Sequence, residues 1–185
     1  NLGLELADSL GASRFKPFFI IFLARVRLAQ KGHDPATVRL VEEALEISRQ
    51  TGAGFLTPWV LSTLALVNDD PALSRRALKQ GEEILISGCV GHNYYSFYRD
   101  AIEVALNNGD WEEAERYASA LEAYTRPEPA PWSDFFIARG RALAAYGRGS
   151  QDDALLEELK GLREEADRVG LKLALPALEE ALTAK

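Results

Sequence analysis

The chain has 185 residues, 47% of them hydrophobic, and a formal charge of -7, enough apolar material to bury a core without staples. Nucleic acid is excluded as an expected partner, because capture of a phosphate backbone rests on clustered lysine and arginine. The lone Cys89 can form no internal disulfide, no secretory leader is legible, and the apolar run Phe18 to Val26 is interrupted by Arg25 and too short to span a bilayer. These features predict a cytoplasmic chain that does not cross a membrane, and the absence of methionine predicts a fragment of a larger protein.

In chain order, Leu2, Leu6 and Leu10 before Gly11 predict the second helix of a truncated helix pair over 2–10. Pro17-Phe18 opens a helix near 17–31, and the turn Gly32-His33-Asp34-Pro35 starts its partner near 35–50. The next pair runs near 58–68 and 71–87, from Pro58-Trp59 and from Asn68-Asp69-Asp70-Pro71. The third lies near 93–107 and 111–125, from Asn93-Tyr94 and Asn108-Gly109-Asp110-Trp111, and the fourth near 131–146 and 151–169, from Pro131-Trp132 and Gly147-Arg148-Gly149-Ser150. Residues 171–183, with Pro176 opening or kinking them, complete the chain as a capping helix.

Two series of landmarks share one period. Asp34, Asp70, Asp110 and Ser150, taken as N-caps, are spaced by 36, 40 and 40, and the aromatic openings at 17, 58, 93 and 131 by 41, 35 and 38. Each cap side chain can accept from an otherwise unpaired first-turn amide; Asp110 with Glu113 has capping-box spacing, so Asp110→Ala is expected to cost about 1 kcal/mol. Second helices carry a narrow apolar stripe, Val38, Val41, Leu45 and Ser48, with Glu42, Glu43, Glu46 and Arg49 outside it. First helices, such as Phe18 to Leu23, are apolar over a wider arc and need cover on more than one side. The expectation is an all-α, right-handed α-α superhelix: a solenoid of about four helix pairs with partial terminal helices, forming one domain over 1–185.

Gly109-Asp110-Trp111-Glu112-Glu113-Ala114 resembles the turn and early second helix of a tetratricopeptide repeat, where glycine makes the turn and a small residue permits close contact. Ala154, Val38 and Ser74 take the alanine's place in the other units, so the pattern is partial. Arg14 to Phe19, Gly88 to Asn93, Phe97 to Ile102 and Trp132 to Gly140 are similar to the carboxy-terminal helical region of bacterial proteins that join a class III adenylate cyclase domain to a STAND-type or AAA-type ATPase. That resemblance implies cyclase and ATPase domains upstream and a repeat array that senses or docks something. No metal-binding aspartate or phosphate loop of those enzymes falls on these residues.

A catalytic set is not legible. His33 and His92 are isolated, no zinc spacing occurs, and the glycine clusters at 52–54 and 88–91 lack a Gly-Lys-Ser/Thr ending. No cofactor is expected. Interface energy concentrates in tyrosine, tryptophan and arginine, which makes Arg25, Trp59, Tyr94, Tyr95, Tyr98, Arg99, Trp132 and Arg139 the candidates for a binding groove on the first helices. The bland alternative is that the aromatics fill the core and the arginines pair with Asp100 or Asp134. The expected function is therefore a non-catalytic protein or peptide-binding module of a signal-transduction protein, its own upstream domains included among the partners. The competing reading is a small-molecule sensor or enzyme with a pocket near Cys89 and His92.

Overall fold

The computed structural model describes residues 2–183; Asn1, Ala184 and Lys185, at the ends of the expected span, lie outside the described residues. It contains ten α-helices and no strand among those residues: α1 Leu2–Ser9, α2 Lys16–Lys31, α3 Pro35–Gln50, α4 Thr57–Val67, α5 Pro71–Ile86, α6 Gly91–Asn107, α7 Trp111–Thr125, α8 Pro131–Gly147, α9 Asp153–Val169 and α10 Leu175–Thr183. Short 3₁₀ turns precede α2, α4 and α10. The chain is all-α, and among the described residues no helix is long and apolar enough to cross a membrane. It divides into two compact units, Asn1–Ala101 and Ile102–Lys185.

In the first unit α1 packs on α2, α2 on α3, α3 on α4, and α4 on both α2 and α5. Its core gathers Ile20, Ile21, Ala24, Val41, Ala44, Leu56, Trp59, Val60 and Val67. The wide apolar arc of α4 is used in full, since every residue except Leu64 is buried. α3 instead buries Thr37, Val41, Ala44 and Ser48 and leaves Glu42, Glu43 and Glu46 exposed. In the second unit α8 packs on α7, α9 and α10, and α9 on α10, around Phe135, Phe136, Leu143, Leu155, Leu159, Leu162 and Leu178.

The turn chemistry holds at two of the four expected caps and shifts at the others. Asp34 accepts from the Ala36 and Thr37 amides at 2.9 and 3.0 Å, and Asp70 from Ala72 at 2.8 Å. Both are followed by proline at the first helical position, where the missing N–H has no intrahelical partner to lose. Asp110 occupies the N-cap by position, and its backbone carbonyl accepts from Ala114 at 3.0 Å. Its side chain makes no capping bond, because ψ is 66° rather than the extended value that turns a cap side chain onto the amides.

Ser150 is not the cap of α9. Asp152 is, accepting from the Leu155 amide at 3.0 Å, so α9 starts at Asp153. The two-residue displacement leaves Ala154 exposed, whereas Ala114 is fully buried. Ala154 therefore does not take the close-contact role that the repeat pattern gives it. Gly32 and Gly109, between paired helices, adopt φ of 74° and 70°, a left-handed turn that side chains with a Cβ enter at a cost.

Candidate functional site

Three helices that open successive hairpins, α2, α4 and the first part of α6, meet at one face of the first unit, whose exposed residues come from α2 and α6 because α4 is buried except at Leu64. At one end the Phe18 and Phe22 rings stand 5.6 and 5.7 Å from Trp59, and the His92 ring lies 6.1 Å from Trp59. Further along, Arg25 Nη1 donates to Asp100 Oδ1 at 2.5 Å, and Ser62 Oγ donates to Asp100 Oδ2 at 3.1 Å. Phe18 precedes Arg25, Trp59 precedes Ser62 and His92 precedes Asp100, so the three helices run in the same direction with an aromatic end and a charged end. A small side chain at Ser62 lets Arg25 reach past α4 to α6.

Asp100 is fully buried. Its Oδ1 also accepts from Arg99 Nε and Nη2 at 2.9 and 2.7 Å. Burial alone pushes this carboxyl up, because desolvation disfavours the charged form; the Arg25 and Arg99 guanidiniums outweigh it and hold the group below the ordinary value. Arg25 and Arg99 side chains are each 16% exposed, so both reach the rim while binding an acid beneath it. Arg25 engages Asp100 through Nη1 alone among its hydrogen bonds, which uses one of the five donors of its fork.

The aromatic end is more exposed than its composition suggests. Phe18 is 38% and Phe22 47% accessible, and Phe55, close to His92, is 48%. The Phe18, Phe22 and Trp59 rings meet edge to face at 5.0 to 5.7 Å, the favourable aromatic geometry. Rings this close leave no gap for a cation between their faces, so the cluster is a platform and not a cage. Trp59 Nε1 and Asn93 Oδ1 are buried with no protein partner; such atoms typically cost about 1 to 3 kcal/mol if left unmade, which makes this end the least satisfied part of the unit.

Six of the eight groove candidates lie in the first unit and separate into three groups. Arg25 and Arg99 meet on Asp100, with Tyr95 half-buried on the same helix. Trp59 is 7% exposed and serves as the floor of the aromatic end. Tyr94 donates its hydroxyl to the Leu85 carbonyl at 2.8 Å and Tyr98 is 5% exposed, so both tie α6 into the first unit.

In the second unit, Trp132 is half-buried against Phe136 at 4.6 Å. Arg139, expected on the groove, is corrected to an interior residue. It is 1% exposed, pairs with Glu103 and donates from Nε to the Ala174 carbonyl at 3.1 Å. Its position follows from α8 burying nearly every face except that of Arg141 and a few neighbours.

Phe18 and Phe22 belong to the face and were legible only as parts of an apolar run. The signal was quantitative: Ile20, Ile21 and Ala24 already fill the buried stripe of α2, so the phenylalanines at 18, 19 and 22 exceed what one helix face can hide. Ser62 carried no sequence signal, since its role depends on what lies across it.

Cys89 Sγ donates to the Phe55 carbonyl at 3.1 Å, and Asn93 Nδ2 donates to the same carbonyl at 2.7 Å and to Cys89 Sγ at 3.4 Å. The thiol thus fastens the 54–56 turn to the start of α6, while the His92 ring stands against Phe55 and Trp59. Among the described residues, no group of three His, Cys, Asp or Glu side chains could hold a metal ion.

Charge and apolar exposure are unequally shared. Residues 1–101 contain 11 basic and 11 acidic residues, and 102–185 contain 10 and 17, so the whole formal charge resides in the second unit. Of the exposed large hydrophobics among the described residues, twelve belong to the first unit and three to the second. A clustered apolar surface of this kind marks an interaction site more often than isolated exposed residues do. Compared with known proteins, the chain matches no family model, no curated protein and no solved structure.

Proposed function

We propose that the chain is a non-catalytic docking module: a tetratricopeptide-like, right-handed superhelix of helix pairs that binds a protein or peptide in a bacterial signal-transduction protein. The observation that carries this reading is the face of α2, α4 and α6 in the first unit. There, exposed Phe18 and Phe22 stand beside Trp59, one end of a stripe that finishes in Arg25 and Arg99. Aromatic and arginine side chains of this kind concentrate binding energy at interfaces, and a unit whose basic and acidic residues balance avoids the single-sign field of the acidic second unit.

The superhelix rests on the shared period of the landmarks and on one first helix packing against the next, α2 on α4. Association with a class III adenylate cyclase or a STAND-type ATPase rests on the resemblance of the four sequence runs. A cytoplasmic location accords with the lone cysteine.

The test places a photo-crosslinking amino acid at Phe22 or, as the control, at Glu157 on the exposed face of the second unit, in the protein expressed at its natural length. Crosslinks from position 22 to a polypeptide, in clear excess over those from 157, are the expected result, and mass spectrometry then decides whether that polypeptide is the protein's own cyclase or ATPase region. Equal or absent polypeptide crosslinks at the two positions defeat the docking reading.

A further inference from the structure

The two ends of the α2, α4 and α6 face ask for different chemistry in one ligand. Phe18 and Phe22 offer an exposed apolar platform. Seven residues along α2, which is about 10 Å at 1.5 Å per residue, Arg25 keeps guanidinium donors beyond the single Nη1 bond it gives Asp100. The helix itself contributes no acid: its charged residues are Lys16, Arg25, Arg27 and Lys31. Neither α2 nor α4, which has no charged residue at all, puts a carboxylate beside Arg25; the acid it does face is Asp100 of α6, one carboxylate shared with Arg99.

An extended chain advances about 3.3 Å per residue, so about three residues separate two side chains that satisfy both ends. A helical ligand covers the same span only over about seven residues. Ser62 is fully buried between the two ends, so a ligand runs along the exposed side of α2 from Phe18 and Phe22 to Arg25.

Resting on the docking reading above, we propose that this face takes an extended peptide segment bearing an aliphatic or aromatic side chain and, about three residues away, a carboxylate. The apolar side chain lies on Phe18 and Phe22. The carboxylate accepts from the Arg25 fork, a charge-assisted bond of the stronger kind, while Asp100 anchors the guanidinium through Nη1.

The test is a display library of random peptides about twelve residues long, selected on the full chain, with the enriched peptide then made with a fluorescein label and titrated by anisotropy. The enriched sequences are expected to carry Asp or Glu three residues from Phe, Leu, Ile or Trp. Replacing that acid by its amide, Phe22→Asp in the protein, and Arg25→Gln are each expected to weaken binding roughly tenfold or more. The peptide change leaves the protein untouched and Phe22 is exposed, so neither readout depends on a variant with an altered core.

Enrichment without an acid, an acid spaced seven residues away, or binding indifferent to both changes overturns the proposal. Peptides that bind but ignore Phe22→Asp and the Asp→Asn peptide move docking elsewhere and leave the module reading standing. A library that yields no binder overturns this ligand class, while the module reading is decided separately by the crosslinks at position 22.

Discussion

The two units solve one electrostatic problem with opposite signs. In the first, a carboxylate is buried and the cations sit at the rim: Asp100 beneath Arg25 and Arg99. In the second, a guanidinium is buried and the acid sits at the rim: Arg139, 1% exposed, against Glu103, whose side chain is 21% exposed. Burying an ion requires a partner of opposite charge, and the side that is buried decides which charge the surface shows. The first unit consequently combines guanidinium donors with exposed phenylalanines, and the second displays acids over a closed core. Differences in surface chemistry between similar helical stacks can thus originate in which partner of a pair goes inside.

Removing the buried member of each pair breaks this comparison most severely. Asp100→Ala leaves two guanidiniums without their acid and is expected to cost about 3 to 5 kcal/mol, and Arg139→Ala to cost a similar amount by stranding Glu103 and the Ala174 carbonyl. Urea unfolding followed by Trp59 fluorescence in a Trp111→Phe, Trp132→Phe background reports the first unit; a loss under 1 kcal/mol there for Asp100→Ala contradicts the assignment.

Acid sharpens the same point. The folded Asp100 carboxyl titrates below its ordinary value of 3.8, so its contribution is fully present above that value and is lost as pH falls through the lower folded value. Asp100→Asn is expected to flatten the acid limb of the stability profile in the first unit; an unchanged limb contradicts the linkage.

Close helix approach gives a middle-sized effect in both units. A Cβ on Gly81 would sit 2.6 Å from the Phe97 ring, and one on Gly140 2.7 Å from Ile102 Cγ2, against side chains that are themselves fully buried. Alanine normally gains about 1 kcal/mol over glycine inside a helix, yet overpacking costs about 1 to 3 kcal/mol. Gly81→Ala and Gly140→Ala are therefore expected to be net destabilising in thermal melts, and stabilisation by either would show that the helices can part.

The smallest effect concerns the caps. Asp70→Ala is expected to cost about 1 kcal/mol because its carboxylate receives two first-turn amides, and Asp110→Ala to cost less because no capping bond is lost. Equal losses in chemical denaturation would reverse the cap assignment at Asp110.

Much of the fold was legible because it is local. Asp34-Pro35 and Asp70-Pro71 start helices through bonds that span two or three residues, and the apolar stripe of α3 is a matter of spacing along one helix. The cap of α9 was misplaced by two residues because Ser150 and Asp152 offer the same chemistry, and only the course of the chain after Gly149 chooses between them.

The candidate face was legible in part. Arg25, Trp59 and Arg99 belong to it, but Tyr94 and Tyr98 face inward and Arg139 is interior. Nothing along one helix distinguishes an aromatic that fills a core from one that rims it.

The sequence by itself determined the all-α class, the ten helical segments to within a few residues, and the thin supply of catalytic side chains, since period, caps and composition act over one or two turns. Tertiary structure alone decided that Arg25 and Arg99 share Asp100, that Ser62 bonds to the same carboxylate, and that Phe18 and Phe22 stay exposed. Those outcomes depend on partners up to 75 residues away in the chain, and burial is a property of how helices meet, which no local pattern encodes.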